Sequence, residues 1–575
     1  MWALTNIPFG SGDFISYNYG DYTFNLSGTD LENKLQTPHW FCDGHFKLTN
    51  DHVELEGYDF KQVYLENIYK RFSDDFIQKI SGNFIIIKLD KDRFRIFSDR
   101  FGIKKFFYWK KGESFIISDS LPFVRSLCND KPSKENIVLY SLMYHFIGGR
   151  TLFDSIYHNK PAEVIEYEDK NLLHSIYWAP ECLLSLPKRN ISMSSIANTM
   201  SVIIKSNMAN IDIERVSLSL TGGADTRNIL AVFLANGLHP HIYTYGNPKS
   251  ADCQKAVDIT KGLGLLHSIH DINIDEAVFE KYARIIIKMF GGLASIHRAH
   301  RLIAIESEKQ YSDYMFLGTL GGEFIRGVSE DDYILPSIVF ENWRNNNFSP
   351  DMLNAYFSKK CLRYNDDIAN YILHFFNGEP YFQGSEIERK FKSLAYITAH
   401  LHDAQDVNLY LTVMNDVFTP FLDIDYLELL FSSEYTFDRK ELIDNHYLKR
   451  IENPVFAAKF LKETYKPLLK FNYSGEHRPS EVILNKYMAA IMKVIRQKLR
   501  PKYIPNFSLD NWMEKFVKKN LPVCYDYNIL KETFNLDLLM DRLANEGHLP
   551  KESYWITFTN PIMMRFIIEE TNNRQ

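Results

Sequence analysis

The segment with the clearest chemical content has the sequence Thr221-Gly222-Gly223-Ala224-Asp225-Thr226. It lies between a short apolar run, 216–220, and an amphipathic stretch, 227–236, so it is expected to join a strand to a helix. Open α/β sheets bind ligands at such turns. Here Gly222 and Gly223 let the backbone approach an anion, and the helix N-terminus attracts one. The pattern therefore predicts a phosphate-binding turn.

Three side chains of this segment add to that chemistry. Thr221 and Thr226 supply hydroxyl donors for an anion. Asp225 supplies a hard oxygen ligand for the Mg²⁺ that accompanies phosphates. The alternative is a tight turn in which Asp225 only caps the following helix.

A second glycine turn follows another predicted strand, 313–318, with the sequence Thr319-Leu320-Gly321-Gly322-Glu323-Phe324. Parallel strands that end in one crevice would bring Glu323 toward the first turn, giving two carboxylates for one metal. The alternative for Glu323 is an acid on a solvated loop.

The remaining pattern predicts the elements that position these turns. Four β-rich runs in the first part of the chain indicate an antiparallel meander: 84–89, 94–97, 106–109 and 115–118. From about residue 191, strands alternate with helices, which predicts a parallel sheet covered on both faces. The last third is mostly helical, with amphipathic stretches such as 484–499. The expected fold is thus an antiparallel β-rich α+β domain followed by an α/β domain and a helical region.

The pair of glycine turns resembles asparagine synthetase and its relatives, whose loops have the sequences Ser-Gly-Gly-x-Asp-Ser and Gly-Glu-Gly-x-Asp-Glu. Further segments are similar to that family: 98–108, 151–157, 177–178, 245–252 and 417–423. The resemblance covers about residues 80–430. It implies a degenerate Ntn-hydrolase-like glutaminase domain with its linker, 1–187, and an ATP-pyrophosphatase domain with a helical extension, 188–575.

The resemblance also implies a reaction. An acceptor carboxylate, on a small molecule or a peptide, attacks the α-phosphorus of ATP with Mg²⁺ present, and pyrophosphate leaves. Ammonia or another amine then displaces AMP to form an amide. Asp225 and Glu323 are expected to be catalytic and to bind the metal, while the nucleotide is expected to contact the other residues of the two turns: Thr221, Gly222, Gly223, Thr226, Tyr245, Gly318 and Thr319.

Several departures from the family limit what the chain is expected to do. Position 2 is Trp2 rather than a cysteine nucleophile, so glutamine hydrolysis is not expected. Leu320 and Phe324 replace acids of the second turn, which places aspartate in doubt as the acceptor. These changes leave a non-catalytic scaffold or regulator as the alternative function. An N-terminal-nucleophile hydrolase is a third reading, and Trp2 argues against it.

Two other groups of residues are candidates without a settled role. His297, His300 and Arg301 fall on one helical face and either hold an acidic substrate or form a solvated basic face. The family also uses a lysine near the end of its synthetase domain. The local sequence does not choose among three candidates: Lys459, Lys462 and Lys466.

Composition excludes some classes of function. A net charge of -6 over 575 residues argues against nucleic acid as a partner. No apolar run reaches the ~18 residues of a membrane span, and the N-terminus lacks the pattern of a signal peptide. The six cysteines have no metal or redox spacing. A cytoplasmic protein with no membrane partner is expected, and the sequence leaves a homodimer open.

Overall fold

The computed structural model describes most of the chain in these ranges: 1–9, 14–27, 35–49, 65–209, 211–272, 274–326, 349–380, 383–436, 452–499, 510–545 and 552–572. Antiparallel sheets, a parallel sheet and many helices give it an α+β architecture. This agrees with the fold class expected from the sequence.

Among the described residues, two six-stranded antiparallel sheets form the first part. Their strands, in chain order, are β1 (Trp2–Thr5), β2 (Phe14–Asn18), β3 (Thr23–Ser27), β4 (Leu35–Thr37), β5 (Trp40–Leu48), β6 (Ile80–Asp90), β7 (Arg93–Ser98), β8 (Phe107–Lys111), β9 (Ser114–Ser118), β10 (Ile156–His158), β11 (Glu163–Glu168) and β12 (Asn171–Ile176). One sheet has the order β10-β8-β9-β1-β3-β2 and the other β12-β11-β7-β6-β5-β4. The predicted single meander is therefore wrong, because its first hairpin, β6–β7, and its second, β8–β9, belong to different sheets.

An aromatic core fills the space between these sheets. Trp2 is fully buried, and its ring centroid lies 6.3 Å from that of Phe41 and 6.0 Å from that of Phe106. Since side chains alternate along a strand, Leu4 shares this face with Trp2, whereas Ala3 joins the larger core outside it. The first strand is thus a central part of the packing.

The second part is built on a five-stranded parallel sheet. Its strands are β13 (Val216–Ser219), β14 (His241–Tyr245), β15 (His267–His270), β16 (Tyr314–Phe316) and β17 (Asp416–Phe418). The spatial order is β15-β14-β13-β16-β17. From β13 the chain first adds β14 and β15 on one side of that strand, and it then crosses to the other side of β13 to add β16 and β17. The connections leaving β13 and β16 therefore separate, which opens a crevice at the carboxyl ends of these strands.

Helices cover the parallel sheet and make up the end of the chain. The α-helices of the described residues are α1 (Leu65–Phe72), α2 (Leu121–Leu127), α3 (Lys134–Met143), α4 (Met193–Asn207), α5 (Asp225–Ala235), α6 (Ala251–Leu263), α7 (Glu276–Phe290), α8 (Ala299–Glu308), α9 (Glu323–Arg326), α10 (Pro350–Lys359), α11 (Asp366–Gly378), α12 (Glu386–Lys392), α13 (Ala404–Leu411), α14 (Ile424–Ser432), α15 (Glu452–Thr464), α16 (Pro479–Leu484), α17 (Lys486–Leu499), α18 (Asp510–Asn520), α19 (Asn528–Thr533), α20 (Leu536–Asn545) and α21 (Glu552–Asn572). A π-helix, Ser393–Asp403, precedes α13. Within the described ranges, none of these helices has the length and apolar character needed to cross a membrane.

Charged and amide groups join the two parts. The Lys47 ammonium lies 3.1 Å from an Asp423 carboxylate oxygen and 2.7 Å from one of Asp425. The Asn83 amide donates to the Val417 carbonyl at 3.3 Å and to the Thr419 hydroxyl at 3.1 Å. Because these contacts hold the segment after β17, the antiparallel sheets support one side of the parallel sheet.

Buried histidines also line this junction. His145 is 6% exposed and His158 is 0% exposed. Burial, together with the charges of Arg298 and Lys105, lowers the pKa of His145 to about 3. Burial and the Lys105 charge lower the pKa of His158 to about 4. Both rings are therefore neutral in the folded protein at neutral pH.

This predicts a loss of stability in acid. Because the folded pKa values lie below the unfolded value of 6.5, the unfolded chain binds protons first as the pH falls from 6.5 toward 4. Each histidine then lowers the free energy of unfolding by about 1.4 kcal/mol per pH unit. Urea unfolding measured across this pH range should show the free energy of unfolding falling with pH. His145→Gln should reduce that slope by the contribution of one histidine. An equal slope in the variant and the wild type would contradict the assignment.

Candidate functional site

The two glycine turns meet in the crevice between β13 and β16. A Cβ placed on Gly318 would lie 2.7 Å from the Thr226 methyl carbon and 2.8 Å from the Thr226 nitrogen. A Cβ on Gly321 would lie 2.8 Å from the Asp225 Cβ. Because contacts this short are not tolerated, both glycines are needed for the close approach of the turns. The structure thus brings together residues that are about 100 positions apart in the sequence.

The first turn leads directly into α5. Its N-cap residue is Ala224, which offers no side-chain hydrogen bond to the helix, and Asp225 lies in the first turn. Asp225 is therefore not the helix cap of the alternative interpretation. The Thr226 hydroxyl is buried and has no hydrogen-bond partner within the described part of the chain. A helix N-terminus without a side-chain cap, beside an unpaired buried hydroxyl, has the chemistry of an anion site.

Two backbone amides of the turn have partners within the protein. The Gly223 N–H donates to the Thr221 hydroxyl oxygen at 3.2 Å, so the Thr221 proton can be donated to a ligand. The Gly222 N–H donates to an Asp252 carboxylate oxygen at 3.3 Å, and burial raises the pKa of this carboxyl group. An arriving phosphate would compete with Asp252 for the Gly222 amide. Because both glycine N–H groups already have acceptors, the start of α5 is better placed than either glycine amide to hold an anion.

The segment 471–478, which the sequence did not identify as part of the site, packs against the first glycine turn. The Ser474 N–H donates to the Gly222 carbonyl at 2.8 Å, and the Ser474 Cβ would lie 2.6 Å from a Cβ on Gly222. The buried Arg227 guanidinium donates to the Phe471 carbonyl at 2.8 Å and to the Asn472 carbonyl at 2.9 Å. These bonds fix the position of the turn.

Two buried tyrosines lie close enough to Asp225 for its charge to raise their pKa values. The hydroxyls of Tyr426 and Tyr473 are buried and have no hydrogen-bond partner among the described residues. Burial raises the pKa of Tyr473 to about 12, with the Asp225 charge adding to the rise and Arg227 opposing it. The pKa of Tyr426 is also raised by burial and then by Asp225. Both phenols therefore stay protonated, and they can donate to the carboxylate or to a ligand beside it.

Glu323 lies near a second acidic group. It is the first residue of the short helix α9 and is half-buried. Burial raises the pKa of Asp403 well above its usual value, and the charges of Glu323 and Asp406 raise it further. Asp403 ends the π-helix, a form often found at functional sites. Sequence reasoning missed Asp403 because no motif marks it.

The cluster of His297, His300 and Arg301 is half-buried, so it is not a solvated basic face. Burial, with the charge of Arg298, lowers the pKa of His297 to about 4. Burial, with the charge of Arg301, lowers the pKa of His300 to about 3. Arg301 forms a short ion pair with Asp406. The two neutral rings and the paired guanidinium leave this cluster less cationic than the sequence suggests.

Tyr245 and the candidate lysines lie in different settings. Tyr245 is the last residue of β14, and the centroid of its ring lies 6.1 Å from that of His300. The neighbouring Thr244 hydroxyl donates to the Leu220 carbonyl at 2.7 Å, which holds the end of β14 against the start of the first turn. All three candidate lysines are exposed: Lys459, Lys462 and Lys466. Their exposure does not identify any of them as the residue that the family uses.

Comparisons with known proteins found little. No family model and no curated protein matches the chain. A structure of the allosteric regulatory enzyme of purine biosynthesis is 9% identical, with a TM-score of 0.18, and the match covers 44% of this chain and 66% of the other. A structure of glutamine phosphoribosylpyrophosphate amidotransferase from B. subtilis, complexed with ADP and GMP, is 11% identical, with a TM-score of 0.19, over 48% of this chain and 65% of the other. Likenesses of this size carry no argument about this chain.

Proposed function

We propose that this chain is an ATP-dependent amide-forming ligase of the asparagine synthetase type, without glutaminase activity of its own. The observation that carries the proposal is the meeting of the two glycine turns beside Asp225 at the carboxyl ends of β13 and β16. Ligands of open α/β sheets bind at this position. The substrates would be ATP, an acceptor carboxylate on a small molecule or peptide, and ammonia or another amine.

The residues of the crevice fit MgATP. The N–H groups at the start of α5 and the hydroxyls of Thr221 and Thr226 would hold the pyrophosphate portion. Asp225 and Glu323 would hold Mg²⁺, which neutralises charge on the phosphates. No group of three or more metal-ligating side chains occurs among the described residues. Mg²⁺ at nucleotide sites takes one or two carboxylates, with phosphate and water oxygens as its other ligands, so two acids are a sufficient protein contribution.

Other residues would act on the acceptor. Asp403 and Arg298 would form a polar side of the crevice, because the charges of Glu323 and Arg298 both act on the buried Asp403 carboxyl group, and Arg298 donates to Asp406 at 2.9 Å. We propose that the acceptor lies along this side with its carboxylate directed at the nucleotide. Tyr426 and Tyr473 would donate hydrogen bonds near the reacting phosphate, where charge develops in the transition state.

A non-catalytic scaffold remains the second candidate, and one observation favours it. Phe324, which replaces an acid of the family, is fully buried, with its ring centroid 6.2 Å from that of Phe391 and 5.9 Å from that of Phe431. Leu320 is also buried and adopts a left-handed backbone, with φ of 63°. The second turn is therefore more apolar than a site for several acids would be. A scaffold of this kind would have no affinity for MgATP.

Thermal unfolding with MgATP separates the two functions. A ligand at 100 times its Kd adds about 2.7 kcal/mol to the free energy of unfolding. The ligase is therefore expected to unfold at a higher temperature in excess MgATP, whereas a scaffold would show no change. ADP without Mg²⁺ serves as the comparison, since it lacks the metal and the γ-phosphate.

Gly321→Ala tests whether the meeting of the turns forms the nucleotide site. The added methyl group would lie within 2.9 Å of Asp225 side-chain atoms and 2.7 Å from the Phe421 ring, so it should push the turns apart. We expect the MgATP-induced thermal shift to disappear. Gly378→Ala is the matched control, because a Cβ there has no neighbour within 4 Å. A full shift in Gly321→Ala would place the nucleotide elsewhere.

A further inference from the structure

The 471–478 segment brings the side chain of Tyr473 to the candidate site. Tyr473 is 6% exposed, and its hydroxyl has no hydrogen-bond partner within the described residues. Its ring packs on the Arg227 guanidinium, with 4.2 Å between the guanidinium carbon and the ring centroid. The charge of Asp225 acts on its phenol. A buried donor without an acceptor in this position is suited to an oxygen atom of a ligand.

Backbone hydrogen bonds fold residues 473–477 into a tight turn. The Tyr473 N–H donates to the His477 carbonyl at 2.8 Å, and the Glu476 N–H donates to the Tyr473 carbonyl at 2.8 Å. Glu476 has a left-handed backbone, with φ of 66°. Because this conformation is unfavourable for a residue with a side chain, the turn depends on contacts with the rest of the protein.

A buried ion pair supplies such a contact. The Glu476 side chain is 4% exposed, and both of its carboxylate oxygens lie 3.1 Å from the ammonium nitrogen of Lys255 on α6. The Asn472 amide donates to the same carboxylate at 3.2 Å. Removing one partner of a buried ion pair leaves an uncompensated charge, so the pair is expected to hold Glu476 firmly. It thereby attaches the turn that carries Tyr473 to a helix beside the parallel sheet.

We propose that Lys255 and Glu476 are positioning residues, which hold the Tyr473 hydroxyl where it donates to a phosphate oxygen of ATP during adenylation. In that step an oxygen of the acceptor carboxylate bonds to the α-phosphorus. The bond from this phosphorus to the bridging oxygen breaks, and pyrophosphate leaves with the electron pair. Since the two charged groups pair with each other, they act through Tyr473 rather than on the nucleotide. This inference rests on the proposed ligase function.

The hydroxyl of Tyr473 is expected to affect the rate more than the binding of ATP. Charge on the phosphate oxygens shifts as pyrophosphate leaves, so a donor fixed in advance stabilises the transition state more than it stabilises bound ATP. Tyr473→Phe removes only the hydroxyl and should lower kcat for ATP–pyrophosphate exchange by about tenfold. The KM for ATP should change by less than about twofold.

A double-mutant cycle separates positioning from support of the fold. Glu476→Gln should lower kcat by the same factor as Tyr473→Phe, because the hydroxyl is no longer held in place. The double variant should be no slower than Tyr473→Phe alone, since no hydroxyl remains to be positioned.

The partner lysine provides a second cycle, which serves if Glu476→Gln does not fold. Lys255→Met, alone and combined with Tyr473→Phe, should repeat the pattern expected for Glu476→Gln. Lys255→Arg keeps a cation for Glu476 and should recover most of the rate that Lys255→Met loses.

Glu280→Gln is the matched control. The Glu280 carboxylate likewise accepts from a lysine and an asparagine, Lys519 at 2.8 Å and Asn520 at 3.3 Å, but it joins α7 to α18. Its exchange rate should equal that of the wild type.

The other outcomes overturn the inference. If the losses of Tyr473→Phe and Glu476→Gln multiply in the double variant, Glu476 does not act through Tyr473. Full exchange by Tyr473→Phe would show that the hydroxyl takes no part in adenylation. If the wild type exchanges no pyrophosphate with any acceptor, the proposed ligase itself is contradicted, and the inference with it.

Discussion

Asp225→Asn is expected to lower the rate of ATP–pyrophosphate exchange by about 100-fold or more, the scale of losing one preorganised electrostatic contact in an active site. Asp225 lies in the first turn of α5, against the second glycine turn and beside Tyr426 and Tyr473. The substitution keeps the shape of the side chain and removes the charge that would hold Mg²⁺. The fold should change little, because Asp225 is only half-buried.

Asp258→Asn is the control for this variant, because Asp258 is an exposed acid on the neighbouring helix α6. Its exchange rate and melting temperature should equal those of the wild type. If Asp225→Asn exchanges pyrophosphate as fast as Asp258→Asn does, Asp225 does not position the metal.

Trp2→Cys is expected to lower the free energy of unfolding by about 3 to 5 kcal/mol, as large-to-small substitutions of core aromatic residues do. The side chain of Trp2 is fully buried and packs on Phe41 and Phe106 between the two antiparallel sheets. The new thiol would lie in that apolar core rather than in a pocket. We therefore expect no glutaminase activity from the variant.

Chemical denaturation of the variant measures the first effect, and glutamate release from glutamine measures the second. Trp109→Cys is the comparison, because Trp109 is only half-buried on β8 and its replacement should lower the free energy of unfolding by less. If Trp2→Cys were as stable as the wild type, the packing of Trp2 would not contribute as described. If Trp2→Cys hydrolysed glutamine, the first part of the chain would still hold a glutaminase site.

The local elements of the parallel sheet could be predicted because their hydrophobic pattern is strong. The strand expected at 241–245 has these bounds, and the one expected at 216–220 ends one residue earlier. The helix expected at 484–499 is in fact two, α16 and α17, because Asn485 adopts an extended backbone between them. Periodicity did not reveal this break, since a single extended residue changes little in the pattern.

The contacts between distant segments could not be predicted. Nothing local to Arg227 indicates that its guanidinium binds the carbonyls of residues 471 and 472, which are over 240 positions away. The proximity of Asp403 to Glu323 likewise depends on how the π-helix packs beside the sheet. The glycines could be predicted as close-approach positions, but only the structure shows that Ser474, rather than open space, lies against Gly222.

The most direct test of the ligase proposal is ATP–pyrophosphate exchange by the wild-type chain across a panel of amino-acid, sugar-acid and peptide carboxylates. The proposal predicts exchange that requires Mg²⁺ and one class of acceptor, which would then identify the substrate. Absence of exchange with every acceptor, together with no thermal shift in MgATP, would contradict the ligase and leave a scaffold on this fold.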